Sequence, residues 1–105
     1  MTTTVDTVFR ALGDPTRRDI IEWMATGATP TATEVATRFP MTRQGVSRHL
    51  NVLAESGLVT GSRSGREVRY SLDGDSLRKA ETWLAERTRS WDRALKRLER
   101  YLDES

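Results

Sequence analysis

Cysteine is absent from the 105 residues, and histidine occurs once, at His49. Disulfides, thiolate nucleophiles and cysteine-based metal sites are therefore excluded. A zinc site would have to rest almost entirely on carboxylates, a set that zinc rarely accepts as a structural site. No apolar run approaches the roughly 20 residues a membrane span needs. The start, Met-Thr-Thr-Thr-Val-Asp, lacks the basic region and apolar stretch of a signal peptide. The expected location is cytoplasmic, with no membrane partner. The chain also has no P-loop, dinucleotide fingerprint or Ser-His-acid spacing. No catalytic residue, metal ligand or cofactor is expected. Apolar residues make up only 36%, so the core is small and a partner surface would add stability.

The length fits one domain, residues 1–105. Its net charge of +2 is unevenly placed. Residues 1–40 carry four Arg against five acids, and residues 73–105 carry eight basic and eight acidic residues. Residues 41–72 carry five Arg against two acids. The whole positive excess sits in that middle segment, as expected of a nucleic-acid module.

Hydrophobic spacing divides the chain into elements. Val5, Val8, Phe9 and Leu12 lie three and four apart, one face of a helix that Gly13 ends. Asp14-Pro15 opens a second helix, with Asp as cap and Pro at the first helical position. Ile20, Ile21, Trp23 and Met24 give it an apolar side, and Gly27 closes it. Thr31 and Glu34 have the spacing of a capping box. They start a short helix with Val35, Ala36 and Phe39 inward, stopped by Pro40. Thr42 caps the next helix after a turn of about three residues, the signature of a helix-turn-helix.

In that helix Val46, Leu50 and Leu53 fall within about 60° of each other at 100° per residue. Gln44, Ser47, Arg48 and Asn51 fall on the opposite side, His49 lies at the border, and Gly57 is the stop. A helix of this size fits the DNA major groove. Residues 58–62 and 67–72 read as two strands, with Val68, Tyr70 and Leu72 alternating against Glu67, Arg69 and Ser71. Ser64-Gly65 reads as the turn between them. The reading unit is 31–72. Asp75 begins a last helix to about Leu102, spanning about 42 Å where a compact domain of this size is roughly 33 Å wide. Leu77, Leu84, Trp91 and Leu98 recur every seven residues on it, with Ala80, Leu95 and Leu102 beside them and Trp83, Ala94 and Tyr101 on one flank. Such a stripe covers its own core and still offers a surface to a second copy.

The order of elements resembles the ArsR family of winged-helix repressors. The motifs are Ala11-Leu12-Gly13-Asp14-Pro15-Thr16-Arg17-Arg18, Ser47-Arg48-His49-Leu50, Leu53 through Ser56-Gly57-Leu58-Val59, and Arg63 with Gly65-Arg66 and Tyr70. The tail, Trp91 through Leu98 to Tyr101-Leu102, is similar to the branch without metal sites. The resemblance covers about residues 5–102. It implies a mainly α fold with a β-hairpin wing and a long C-terminal dimerisation helix over 75–102. It also implies a homodimer paired through the first and last helices, repressing from an operator near a promoter. Many members sense metals through cysteine pairs, or through histidine and acids on the last helix. This chain has no cysteine and no histidine after His49, so metal sensing is not carried over.

On this reading the partners are double-stranded DNA and a second copy. Gln44, Ser47, Arg48 and, one turn further on, Asn51 face DNA, and Arg43 meets a phosphate that offsets its place at the positive helix end. Arg63, Arg66 and Arg69 form the wing contacts, with pairing to Glu67 as the other reading of Arg69. The expected dimer interface is Val5, Val8, Phe9, Leu77, Leu84, Trp91, Leu95, Leu98 and Leu102. His49 reads as a packed structural histidine, with phosphate contact as its alternative. Arg17 and Arg18 read as partners of acids such as Asp19 or Glu22, with phosphates as theirs. The aromatic stripe leaves a small-molecule effector open. The rival function is a winged-helix module that docks on protein through the last helix.

Overall fold

Each of the five helices begins beside a side chain that fills an open backbone donor, Asp73 serving the last one by accepting from the Asp75 N–H, and these caps set the element boundaries in the computed structural model, which describes residues 3–104. Helix α1 (Thr4–Leu12) opens on Thr3, whose hydroxyl accepts from the Asp6 N–H while the Thr3 N–H donates to the Asp6 carboxylate. This is a complete capping box that sequence reading did not single out. Helix α2 (Pro15–Met24) opens on Asp14, which accepts from the Arg17 N–H at 3.0 Å, and Pro15 takes the first turn. Helix α3 (Ala32–Arg38) opens on Thr31 and helix α4 (Arg43–Glu55) on Thr42. At Thr31 only half of the expected box forms. The hydroxyl accepts from the Glu34 N–H, but the Glu34 carboxylate turns to Arg69, 3.2 Å away.

Strands β1 (Val59–Ser64) and β2 (Glu67–Leu72) pair antiparallel from Val59–Leu72 to Ser64–Glu67. Because Ser64 is paired, the two-residue turn is Gly65-Arg66, one position later than expected. Gly65 has φ +64°, and no other residue type in the described chain has positive φ. Positive φ at the first turn position alone is the pattern of a type II′ hairpin turn, which suits glycine there. The expected half-buried strand face is only partly realised. Tyr70 packs on the core, while Val68 and Leu72 are exposed. Its base is held by the Tyr70 N–H donating to the Pro30 carbonyl at 2.9 Å and by a bridge between Thr31 and Arg69.

The core collects one side of every helix. Val8 and Ala11 of α1, Ile20 and Met24 of α2, Val35 of α3, and Val46, Leu50 and Leu53 of α4 are buried with Leu58, Val59 and Ala80. Val8 is thereby removed from the expected dimer interface. It is fully buried inside its own chain and has no surface to offer a second one.

Helix α5 (Asp75–Glu104) has 30 residues, about 45 Å of helix. Only Ala80 of it is buried. It packs along α1, where Trp83 meets Phe9 edge to face at 5.7 Å, and the rest continues past the body. The resulting extents of 69 × 29 × 24 Å and a radius of gyration of 18.7 Å far exceed the roughly 13 Å of a compact chain this long. Among the described residues no helix is long and apolar enough to cross a membrane.

Gly57 ends α4 with φ +79°, and a Cβ there would overlap the Ser76 hydroxyl. Gly65 shares the positive φ, but a Cβ there would meet nothing within 4 Å. Gly57→Ala is therefore expected to lower stability by about 1–3 kcal/mol, and Gly65→Ala by about 1 kcal/mol, the backbone cost alone. Urea midpoints compare them, and equal midpoints would contradict the overlap with Ser76.

Candidate nucleic-acid interface

Helix α4 has two unlike sides. Val46, Leu50 and Leu53 are buried almost completely. Arg43, Gln44, Ser47, Arg48 and Asn51 are exposed, and none of their side chains makes a hydrogen bond or ion pair among the described residues. These five side chains line one shallow groove together with Val52 and Glu55. Glu55 places a carboxylate at the far end of that face, which marks where an anion ceases to be welcome. A second depression runs between the starts of α3 and α4 and is lined by Ala32, Thr33, Arg43, Val46 and Ser47. Sequence reading did not single out Ala32 and Thr33 as neighbours of this face, because nothing in their types distinguishes them from any other first turn.

The hairpin beside this helix carries Arg63 on β1 and Arg66 in the turn. Both are exposed, and neither enters an ion pair among the described residues. Arg69 differs, and its geometry matches the other reading of it, pairing with acids. Its guanidinium lies 3.2 Å from Glu34 and 3.4 Å from Glu67, and it donates to the Thr29 carbonyl at 2.9 Å. It sits where β2 runs beside residues 30–31, so both carboxylates are within reach. Exposed ion pairs are individually weak, but the contacts to Glu34 and the Thr29 carbonyl together fasten the wing to the start of α3, while Glu67 holds the guanidinium from within the wing.

His49 faces α2. Its Nδ1 is 3.4 Å from an Arg17 nitrogen and 3.9 Å from the Asp14 carboxylate. It is packed, as its place at the border of the helix face implies. Arg17 and Arg18 are structural as well, though not through Asp19 or Glu22. Arg17 donates to the carbonyls of Ala11 and Arg10 at 2.7 and 3.0 Å, and Arg18 to that of Leu12 at 2.6 Å. Carbonyls at a helix end lack partners within the helix, and cationic donors suit them.

The Arg17 N–H bonded to Asp14 holds that carboxyl below the usual carboxylate pKa, against partial burial, which raises it. A depressed folded pKa contributes stability that is present above the ordinary carboxylate range and is lost as pH falls through the folded value. Asp14→Ala is expected to cost about 0.5–2 kcal/mol near neutral pH. The gap to wild type should narrow as pH falls below the ordinary carboxylate range. Asp14→Asn, still a good cap, should cost less. Urea unfolding at several pH values checks this, and a pH-independent gap would contradict it.

Comparison with known proteins agrees with this geometry. The signature of a helix-turn-helix domain matches residues 12–62. The chain is 32% identical over 80 residues to the transcriptional repressor SdpR of Bacillus subtilis (strain 168), covering 76% of this chain and 88% of SdpR. It is 39% identical over 90 residues to the HTH-type transcriptional regulator Rv2034 of Mycobacterium tuberculosis, covering 86% and 80%. The solved structure of an ArsR-like transcriptional regulator from Rhodococcus sp. RHA1 superposes with a TM-score of 0.87 at 35% identity, covering 97% of this chain and 93% of that one. These relatives regulate transcription and are not enzymes. The chain belongs to the ArsR family of winged helix-turn-helix, DNA-binding transcriptional regulators.

Proposed function

We propose that the chain is a homodimeric repressor that occupies an imperfect palindrome near a promoter. The observation that carries this reading is the face of α4, where five exposed side chains have their hydrogen-bonding capacity unused. Arg48 suits the O6 and N7 of guanine and Gln44 the N6 and N7 of adenine, each through two hydrogen bonds. Ser47 and Asn51 extend the same face, and Arg43 meets a phosphate at its edge. Arg63 and Arg66 reach phosphates or the minor groove beside it. SdpR, by its name a repressor, supports the direction of control.

The second copy pairs through α1 and α5. Val5 and Phe9 on α1 and Leu77, Leu84, Trp91, Leu95, Leu98 and Leu102 on α5 supply the apolar surface. Leu84 is 48% and Trp91 70% exposed, a state that isolated monomers rarely sustain over so long a stripe. Half-sites then lie about one helical turn apart, or a small multiple of it. The reading includes no metal switch, because cysteine is absent and the one histidine, His49, lies beside Arg17 and Asp14.

Gel shifts against the chain's own promoter region, at defined salt, are expected to show specific binding above background. Changing both Gln44 and Arg48 to Ala should remove sequence preference; a retained preference would sink the assignment of α4 as reader. Arg63→Ala and Arg66→Ala should weaken binding to all sequences alike, each reducing the salt slope by about 1. Leu84→Arg should dissociate the dimer in sedimentation at micromolar concentration. A heterodimer with no salt-dependent DNA affinity would instead favour a protein-docking module.

A further inference from the structure

Arg17 joins three helices through one side chain. It stands on α2. Its Nε and Nη2 donate to the carbonyls of Ala11 and Arg10, at the end of α1, at 2.7 and 3.0 Å. Its Nη1 lies 3.4 Å from Nδ1 of His49 on α4, a contact open to a hydrogen bond when Nδ1 carries no proton. Asp14, the cap of α2, stands 3.9 Å from the same nitrogen. Helix α1 in turn packs along α5, where Phe9 meets Trp83. A continuous set of contacts therefore runs from the α1–α5 face to the helix that carries Gln44 and Arg48.

We propose that Arg17 is a positioning residue for DNA binding, which ties His49 to the end of α1 and so sets where α4 stands relative to the face through which two copies pair. This rests on the dimeric DNA-binding reading above. In a two-fold complex both reading helices must enter major grooves separated by about 34 Å or a small multiple of it. A displacement of α4 within one copy is repeated in the other, so the error in their separation doubles. The guanidinium suits this task because its donors lie in one rigid plane and point in different directions. A lysine ammonium is a compact point charge and does not reach two carbonyls and an imidazole at once. With all three nitrogens turned to groups inside the protein, Arg17 acts through His49 and not by touching DNA.

The probe is a duplex enriched from a random-sequence pool by the wild-type protein. Its affinity is measured over a salt series for Arg17→Lys, Arg17→Gln, His49→Ala and the double variant Arg17→Gln/His49→Ala. Circular dichroism sets a temperature at which each variant is folded, and sedimentation gives its dimer affinity. His49→Ala leaves the α1 carbonyl bonds in place and so guards against a variant that fails to fold. Each single variant is expected to bind about tenfold more weakly, and the double variant no more weakly than the worse single one. Dimer affinity and salt slope should be unchanged. Wild-type affinity in the folded variants would overturn this role and leave the proposed function standing. So would a salt slope lower by about 1 in Arg17→Gln with binding restored in Arg17→Lys, the mark of a direct phosphate contact. A wild-type protein that enriches no duplex would overturn both this role and the proposed function.

Discussion

Val46, Leu50 and Leu53 lie in the same buried cluster as Val8, Ile20 and Val35, and they hold α4 along one side. Burial of each such side chain is worth about 1.5–3 kcal/mol, far more than any single polar contact available on the other side. The helix therefore cannot roll to satisfy Gln44, Arg48 or Asn51 inside the protein without withdrawing apolar groups from the core. This constraint keeps the opposite face exposed and its donors and acceptors unengaged. The caps at Thr31 and Thr42 act with it, because they fix where α3 and α4 begin and hence the turn between them.

The arginines divide by what they already hold. Arg17 and Arg18 close the end of α1, Arg69 fastens the wing, and Arg38 lies over Trp23 as Arg87 lies over Trp83. Arg43, Arg48, Arg63 and Arg66 are left facing water, and so are Arg89, Arg93, Arg97 and Arg100 along α5. A net charge of +2 says little by itself. What sets the α4 and wing side apart is local balance: residues 41–72 carry five Arg against two acids, whereas residues 73–105 carry eight basic and eight acidic residues.

Much of the fold was legible in the chain. Asp14-Pro15, Thr42 and Gly57 mark helix ends by local chemistry, and that chemistry acts over three or four residues. The two faces of α4 followed from its period alone. Side-chain partners across the fold were not legible. The acceptors of Arg17 are six and seven residues back, on another helix, and Glu34 meets Arg69 from 35 positions away. Val8 shows the same limit. Helical spacing places it on the apolar side of α1 beside Phe9, but only packing tells that it faces inward while Phe9 lies at the surface. The turn at Gly65-Arg66 was misplaced by one residue, because Ser64 has the stronger turn character and only the pairing of Ser64 with Glu67 overrides it.

The outer half of α5 has a consequence for how this chain behaves in quantity. Beyond Arg87 it holds Trp91, Leu95 and Leu98 in water, with no part of its own body buried against them. Under the proposed pairing, covering this stripe adds stability that obeys mass action. The chain's own abundance would then set how much of it is paired: scarce copies stay single with the stripe in water, and abundant copies cover it.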